Sequence, residues 1–75
     1  MNDITAVETT TGECLFVELD ETAKTIIFRD EDDATVAAYG FSAFASLTDA
    51  LALNIGAGIV IDADVVAGVQ QWARI

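Results

Sequence analysis

Asp30, Glu31, Asp32 and Asp33 stand in a row, and only Arg29 and Lys24 lie near them as cations. Carboxylates at this density suit three kinds of chemistry: cation binding, acid–base work in pairs, or attraction of a basic macromolecular surface. Calcium is tested by spacing. An EF-hand loop beginning at Asp30 needs glycine at its sixth position and glutamate at its twelfth. Those positions hold Thr35 and Phe41, so the match fails. Acid–base catalysis by paired carboxylates needs a cleft and a second recognisable group, and a short chain offers neither. The third use remains.

Histidine is absent. That removes the usual general base, the Ser-His and Cys-His nucleophile pairs, and imidazole metal ligands. The single cysteine, Cys14, can build neither an internal disulfide nor a structural zinc site. It lies inside an expected strand and reads as a small buried hydrophobe. Gly56-Ala57-Gly58 is too short for a phosphate loop. We therefore expect no catalytic residue, no metal, no cofactor and no enzymatic activity.

Charge is distributed unevenly along the 75 residues, which carry a formal −10. Residues 1–33 hold ten acids against Lys24 and Arg29, a net of −8. Residues 34–75 hold Asp49, Asp62 and Asp64 against Arg74, a net of −2. Concentrating like charge costs stability through self-repulsion, while the bland return is solubility. Apolar content of 53% argues for a packed core rather than a disordered acidic tail.

The elements that must position these acids follow from periodicity. Residues 3–9 read as a strand, and Gly12 closes a turn. Residues 13–20 read as a second strand with Leu15, Val17 and Leu19 on one face. Residues 24–30 form a third. Pairing Glu21 with Lys24 sets Val17 opposite Phe28 and Leu19 opposite Ile26, which makes the inner face apolar on both strands. Phe16 then meets Arg29, Glu18 meets Ile27, and Asp20 meets Thr25. The acidic run is the next turn, and residues 34–39 a weaker strand ending at Gly40.

Ser42 is placed as a helix N-cap, with Phe44, Leu47 and Leu51 as the apolar stripe. Asn54 and Gly56 then end that helix. Gly58–Ile61 reads as a short buried strand. Asp62 caps a last helix, in which Val65, Val69 and Trp72 face inward, widened by Val66 and Ala73. Gln70, Gln71 and Arg74 face water, with Arg74 in the last turn, and Trp72 reads as core. The expected fold is α+β: an antiparallel sheet of three to four strands with two C-terminal helices on one face. It occupies one domain, 1–75, with an acidic hairpin half at 1–40 and an apolar helical half at 41–75. A membrane span over 34–61 is disfavoured by Asp49, Ser42, Ser46, Thr48, Asn54 and three glycines. No signal peptide is recognisable at Met1-Asn2-Asp3, and the lone cysteine fits a reducing, cytoplasmic setting.

Glu18 and Asp20 sit on alternate strand residues, spaced about 6.7 Å, twice the strand rise. DNA presents a phosphate about every 3.4 Å along each strand. The candidate partner-binding set is Glu18, Asp20, Glu21, Asp30, Glu31, Asp32 and Asp33. Size, missing histidine, net charge and the run Asp30–Asp33 together give a profile that resembles the small acidic DNA-mimic inhibitors of phages and mobile elements, anti-CRISPR proteins among them. The resemblance covers the first half of the chain. It implies a stoichiometric inhibitor acting in the cytoplasm of an infected or element-carrying bacterial cell. Its partner would be the basic DNA-binding surface of a host complex, at a target-DNA or PAM-reading site, with no direct contact to nucleic acid or membrane. A homodimer is compatible with it. The alternatives are a small acidic protein-interaction or homo-oligomerisation module, and a halophile-type acidic domain. The last should spread its acids, whereas residues 34–61 hold one, Asp49.

Only Lys24, Arg29 and Arg74 can meet phosphates. A gel shift with duplex DNA or RNA at physiological salt and micromolar protein should show no retarded band. A retarded band would refute the argument.

Overall fold

The computed structural model describes residues 3–47, 52–56 and 58–75. Four strands form one antiparallel sheet in the order β1-β2-β3-β4: β1 (Asp3–Glu8), β2 (Cys14–Asp20), β3 (Thr25–Arg29) and β4 (Thr35–Gly40). Helix α1 (Phe41–Ala45) follows directly. Strands β5 (Ala52–Gly56) and β6 (Ile59–Asp62) pair as a separate two-stranded sheet, and helix α2 (Ala63–Ala73) ends the chain. The fold is α+β.

The central hairpin has the expected register. Val17 lies opposite Phe28, Leu19 opposite Ile26, Phe16 opposite Arg29, Glu18 opposite Ile27, and Asp20 opposite Thr25. The alternation explains it: Leu15, Val17, Leu19, Ile26 and Phe28 are all buried, and a slip of one residue would turn that set to water. The β3–β4 pairing carries an irregularity at Phe28/Arg29, where Val36 is the extra residue.

The buried cluster joins this inner face to Phe44 of α1, Ile55 of β5, Ile61 of β6, and Val66, Val69 and Ala73 of α2. The smallest extent of the molecule is 17 Å. Phe28, Tyr39 and Phe44 form an aromatic trio with ring centroids 5.6–6.0 Å apart. Burial pushes the Tyr39 phenol above its ordinary 10.0. The neutral phenol is the form the fold favours, so this contribution is complete below about pH 10 and is lost as the pH rises through the raised value.

The second half departs from the sequence reading. No long helix runs from Ser42 to Asn54. The helix stops at Ala45, its N-cap is Gly40, and the Ser42 side chain makes no capping bond. Instead the Ser42 carbonyl accepts from the Ser46 hydroxyl at 2.9 Å. Asn54 and Gly56 belong to β5, where Leu53 and Ile55 turn inward and Ala52 and Asn54 outward. The Asn54 Oδ1 accepts the Gly56 N–H at 3.0 Å, and Gly56 takes φ +133° at the start of the β5–β6 turn. Residues that tolerate unusual φ suit a hairpin turn as well as a helix end, and here the turn prevailed. The expected short strand at Gly58–Ile61 is present as β6, but among the described residues it pairs with β5, so a hairpin rather than a single strand lies between the two helices. Leu51, the third residue of the expected stripe, and Asp49 lie outside the described residues. Among those described, no helix is long and apolar enough to cross a membrane.

Smaller corrections concern α2. Asp62 is its N-cap residue but makes no side-chain capping bond, while Asp64 does stand in the first turn. Arg74 is the C-cap in the left-handed conformation rather than a last-turn cation. Gln70 is half-buried and donates from Nε2 to the Phe44 carbonyl at 2.9 Å, tying α2 to α1. Val65 and Trp72 are half-buried at the margin of the core, which Val66, Val69 and Ala73 fill.

Phe28 has no exposed surface and packs its ring against Phe44 of α1. Phe28→Ala should lower the unfolding free energy by about 3–5 kcal/mol, since the cavity adds to the lost burial. Urea denaturation followed by circular dichroism measures it, and a loss below 1 kcal/mol would contradict the packing described.

Candidate functional site

Backbone turns, rather than a single surface, organise the acids. The β3–β4 loop is a three-residue hairpin connection. The Asp30 N–H donates to the Ala34 carbonyl at 2.9 Å, and the Asp33 N–H to the Asp30 carbonyl at 3.0 Å. Asp33 takes φ +64°, the left-handed position that ends such a loop. The Asp30 Oδ1 accepts the N–H groups of Asp32 at 2.9 Å and Ala34 at 3.0 Å. Aspartate suits both roles: its short carboxylate reaches its own backbone, and it tolerates left-handed φ better than most residues.

The β2–β3 loop repeats the device. The Asp20 Oδ1 accepts the N–H groups of Thr22 and Ala23, each at 3.1 Å, and Lys24 takes φ +55°. Asp20 and Asp30 are therefore occupied in holding turns.

Arg29 engages two more of the candidate acids. Its Nε lies 3.6 Å from the Glu18 Oε1 across the sheet and 3.9 Å from the Asp33 Oδ1, and its Nη1 donates to the Thr35 hydroxyl at 3.1 Å. Glu18 is thus half-buried on the open face of the sheet beside a cation, not displayed as one of a row of free anions. The remaining three candidates, Glu21, Glu31 and Asp32, are exposed, and no side-chain partner is found for them among the described residues.

The seven candidates do not form one array. In an antiparallel sheet the β2–β3 turn lies at one end and the β1–β2 and β3–β4 turns at the other. Asp20 and Glu21 occupy the first end, Asp30–Asp33 the second, with Glu18 between. The five residues of β3 separate the two ends by roughly 17 Å, at about 3.3 Å per residue.

The structure adds residues that sequence spacing missed. The β1–β2 loop is a second three-residue connection: the Thr9 N–H donates to the Glu13 carbonyl at 2.8 Å, and Gly12 takes φ +89°. This loop stands beside the acidic run. Gly12, Glu13, Cys14, Leu15, Asp30, Glu31, Asp32 and Ile59 line one open depression. Glu8, at the end of β1, reaches the same loop, its Oε1 near Gly12. Six acids (Glu8, Glu13, Asp30, Glu31, Asp32 and Asp33) thus meet at this end with Arg29 as their cation. The opposite end combines Asp3, Asp20 and Glu21 with Lys24 and Arg74, which is close to neutral. The signal for Glu13 was the hairpin topology itself, since antiparallel β1–β2 and β3–β4 turns must emerge on the same side. Cys14 is half-buried at the margin of this depression rather than fully inside the core.

No group of acids or cysteine with metal-holding geometry is found among the described residues. No family model matches the chain, and neither a curated protein nor a solved structure matches it.

The division of labour among the acids is measurable. Asp30→Ala removes the acceptor of two backbone N–H groups and should cost about 1–2 kcal/mol, as the loss of a helix cap does. Asp32→Ala, at an exposed position, should change stability by less than about 0.5 kcal/mol. Equal effects in thermal unfolding would show that the Asp30 contacts do not hold the loop.

Proposed function

We propose that the protein is a non-enzymatic acidic inhibitor whose two-loop end occupies a basic, DNA-reading surface of a partner complex. The supporting observation is the convergence of Glu13 with Glu31 and Asp32 on adjacent, internally bonded loops. A preorganised set of anions loses little entropy on binding, and charge complementarity raises the association rate and selects the partner. Arginines and lysines arranged to meet phosphates would meet these carboxylates instead, and DNA would be displaced. In this reading Asp30 and Asp33 shape the display, Glu31, Asp32 and Glu13 make the contacts, and Asp20, Glu21 and Glu18 lie outside it.

A second reading has its own observation. The outer face of the four-stranded sheet leaves Ile4 62% and Phe16 40% exposed, with Ala6 and Ala38 also open to water. An apolar sheet face favours a protein-interaction or homo-oligomerisation module.

The two readings separate by substitution. Glu31→Lys with Asp32→Lys leaves the Asp30 and Asp33 loop bonds in place, so the fold should survive. The immobilised wild-type protein should retain a DNA-binding complex from a host lysate, and duplex DNA should compete it away. The double reversal should retain at least about ten-fold less, because two attractions become repulsions. Undiminished retention by the double reversal, together with loss on Phe16→Ser, would select the sheet-face module instead.

A further inference from the structure

Strand β1 is an edge of the four-stranded sheet, and its free side runs beside α2. The Thr9 N–H donates to the Glu13 carbonyl at 2.8 Å, which fixes the ladder's phase. In the register observed, the backbone groups of Asp3, Thr5 and Val7 face β2, in phase with the Thr9 N–H. The N–H and C=O groups of Ile4, Ala6, Glu8 and Thr10 then point outward. Thr10 shows that this edge accepts a partner, because its N–H donates to the Val60 carbonyl of β6 at 2.9 Å. Among the described residues no hydrogen bond from another element reaches the outward groups of Ile4, Ala6 or Glu8.

A groove lies along this stretch. Thr5, Val7 and Glu8 line its strand side, and Val65, Gly68, Val69 and Trp72 its helix side. Gly68 keeps it open: a Cβ built there meets nothing within 4 Å. A sheet edge with unpaired backbone groups beside an apolar groove is the arrangement that accepts an added strand.

The occupant follows from charge. A second copy would bring its own −10 and its own Asp3 and Glu8 to the same edge, so self-pairing is opposed. We propose that β1 and α2 together bind an extended cationic segment of a partner protein as a fifth strand. Its apolar residues, at alternate positions, enter the groove against Val65, Val69 and Trp72. Its basic residues, on the intervening positions, lie on the outer face toward Glu8. This site shares Glu8 with the margin of the two-loop end but does not depend on the function proposed for that end.

A capped peptide of alternating valine and lysine probes the site, with a capped peptide of alternating proline and lysine as a control of equal charge. Trp72 is the only tryptophan and reports from the groove wall. The valine-lysine peptide should shift Trp72 emission and slow amide exchange at Ile4, Ala6 and Glu8, while the proline-lysine peptide should do neither. Ala6→Pro removes one outward donor at an edge position that tolerates proline. Gly68→Leu projects a side chain into the groove from a helical position where an added Cβ meets nothing within 4 Å. Each variant, checked for fold by circular dichroism, should weaken binding by at least about ten-fold. Glu31→Lys with Asp32→Lys should retain the amide protection, which separates this site from the two-loop end. No binding at about 1 mM peptide, equal binding of the two peptides, or unchanged binding by both Ala6→Pro and Gly68→Leu would overturn the proposal. So would protection of Ile4, Ala6 and Glu8 without peptide in a particle of two chains by light scattering, which would assign the edge to a second copy.

Discussion

Val17 and Phe28 face one another across β2 and β3, and neither retains exposed surface. The rest of the structure depends on this pair and its neighbours Leu19 and Ile26. A domain of this length hides only about 60% of its unfolded surface, so one apolar face must serve the whole chain. Later elements add to the same buried cluster: Phe44 from α1, Ile55 and Ile61 from the β5–β6 hairpin, Val66 and Val69 from α2. The sheet's other face is left to water, with Phe16 and Ile4 among its residues.

That constraint also governs the charge. With the inner face committed to burial, carboxylates are left to loops, edges and the outer face. The fold assigns some of them to its own backbone. Asp20 and Asp30 each accept two N–H groups in the loop that follows them, and Arg29 reaches toward both Glu18 and Asp33. Self-repulsion is thus offset locally by hydrogen bonds and one central cation. The acids that remain exposed gather where the β1–β2 and β3–β4 loops adjoin, and the opposite end approaches neutrality.

The first half of the fold was legible because strand alternation is strong there. Leu15, Val17, Leu19, Ile26 and Phe28 admit one register, and that register fixes which turns share an end. The second half was less legible for a physical reason. Phe44 and Leu47 have helical spacing, and Leu53 and Ile55 have strand spacing a few residues on, so the pattern changes period within one apolar stretch. Asn54 and Gly56 did not arbitrate, because positive φ and side-chain bonds to the backbone serve helix ends and hairpins alike. At the candidate site, residue type exposed the acidic run, but the roles within it depended on geometry. The contrast between Asp30, bound to its own loop, and Asp32, two residues on and free in water, lies in backbone conformation. Glu13 escaped notice because its proximity to Glu31 is tertiary.

The acids of the β1–β2 and β3–β4 loops focus the anionic field at the two-loop end. Cobalt(III) hexammine, a compact trivalent cation rich in N–H donors, tests it without knowledge of any partner. In an NMR titration at low salt, the backbone amides of Glu13, Glu31 and Asp32 should shift first and furthest, and those of Thr22 and Lys24 should move little. Shifts of equal size at both ends, or a maximum around Asp20–Lys24, would contradict the account.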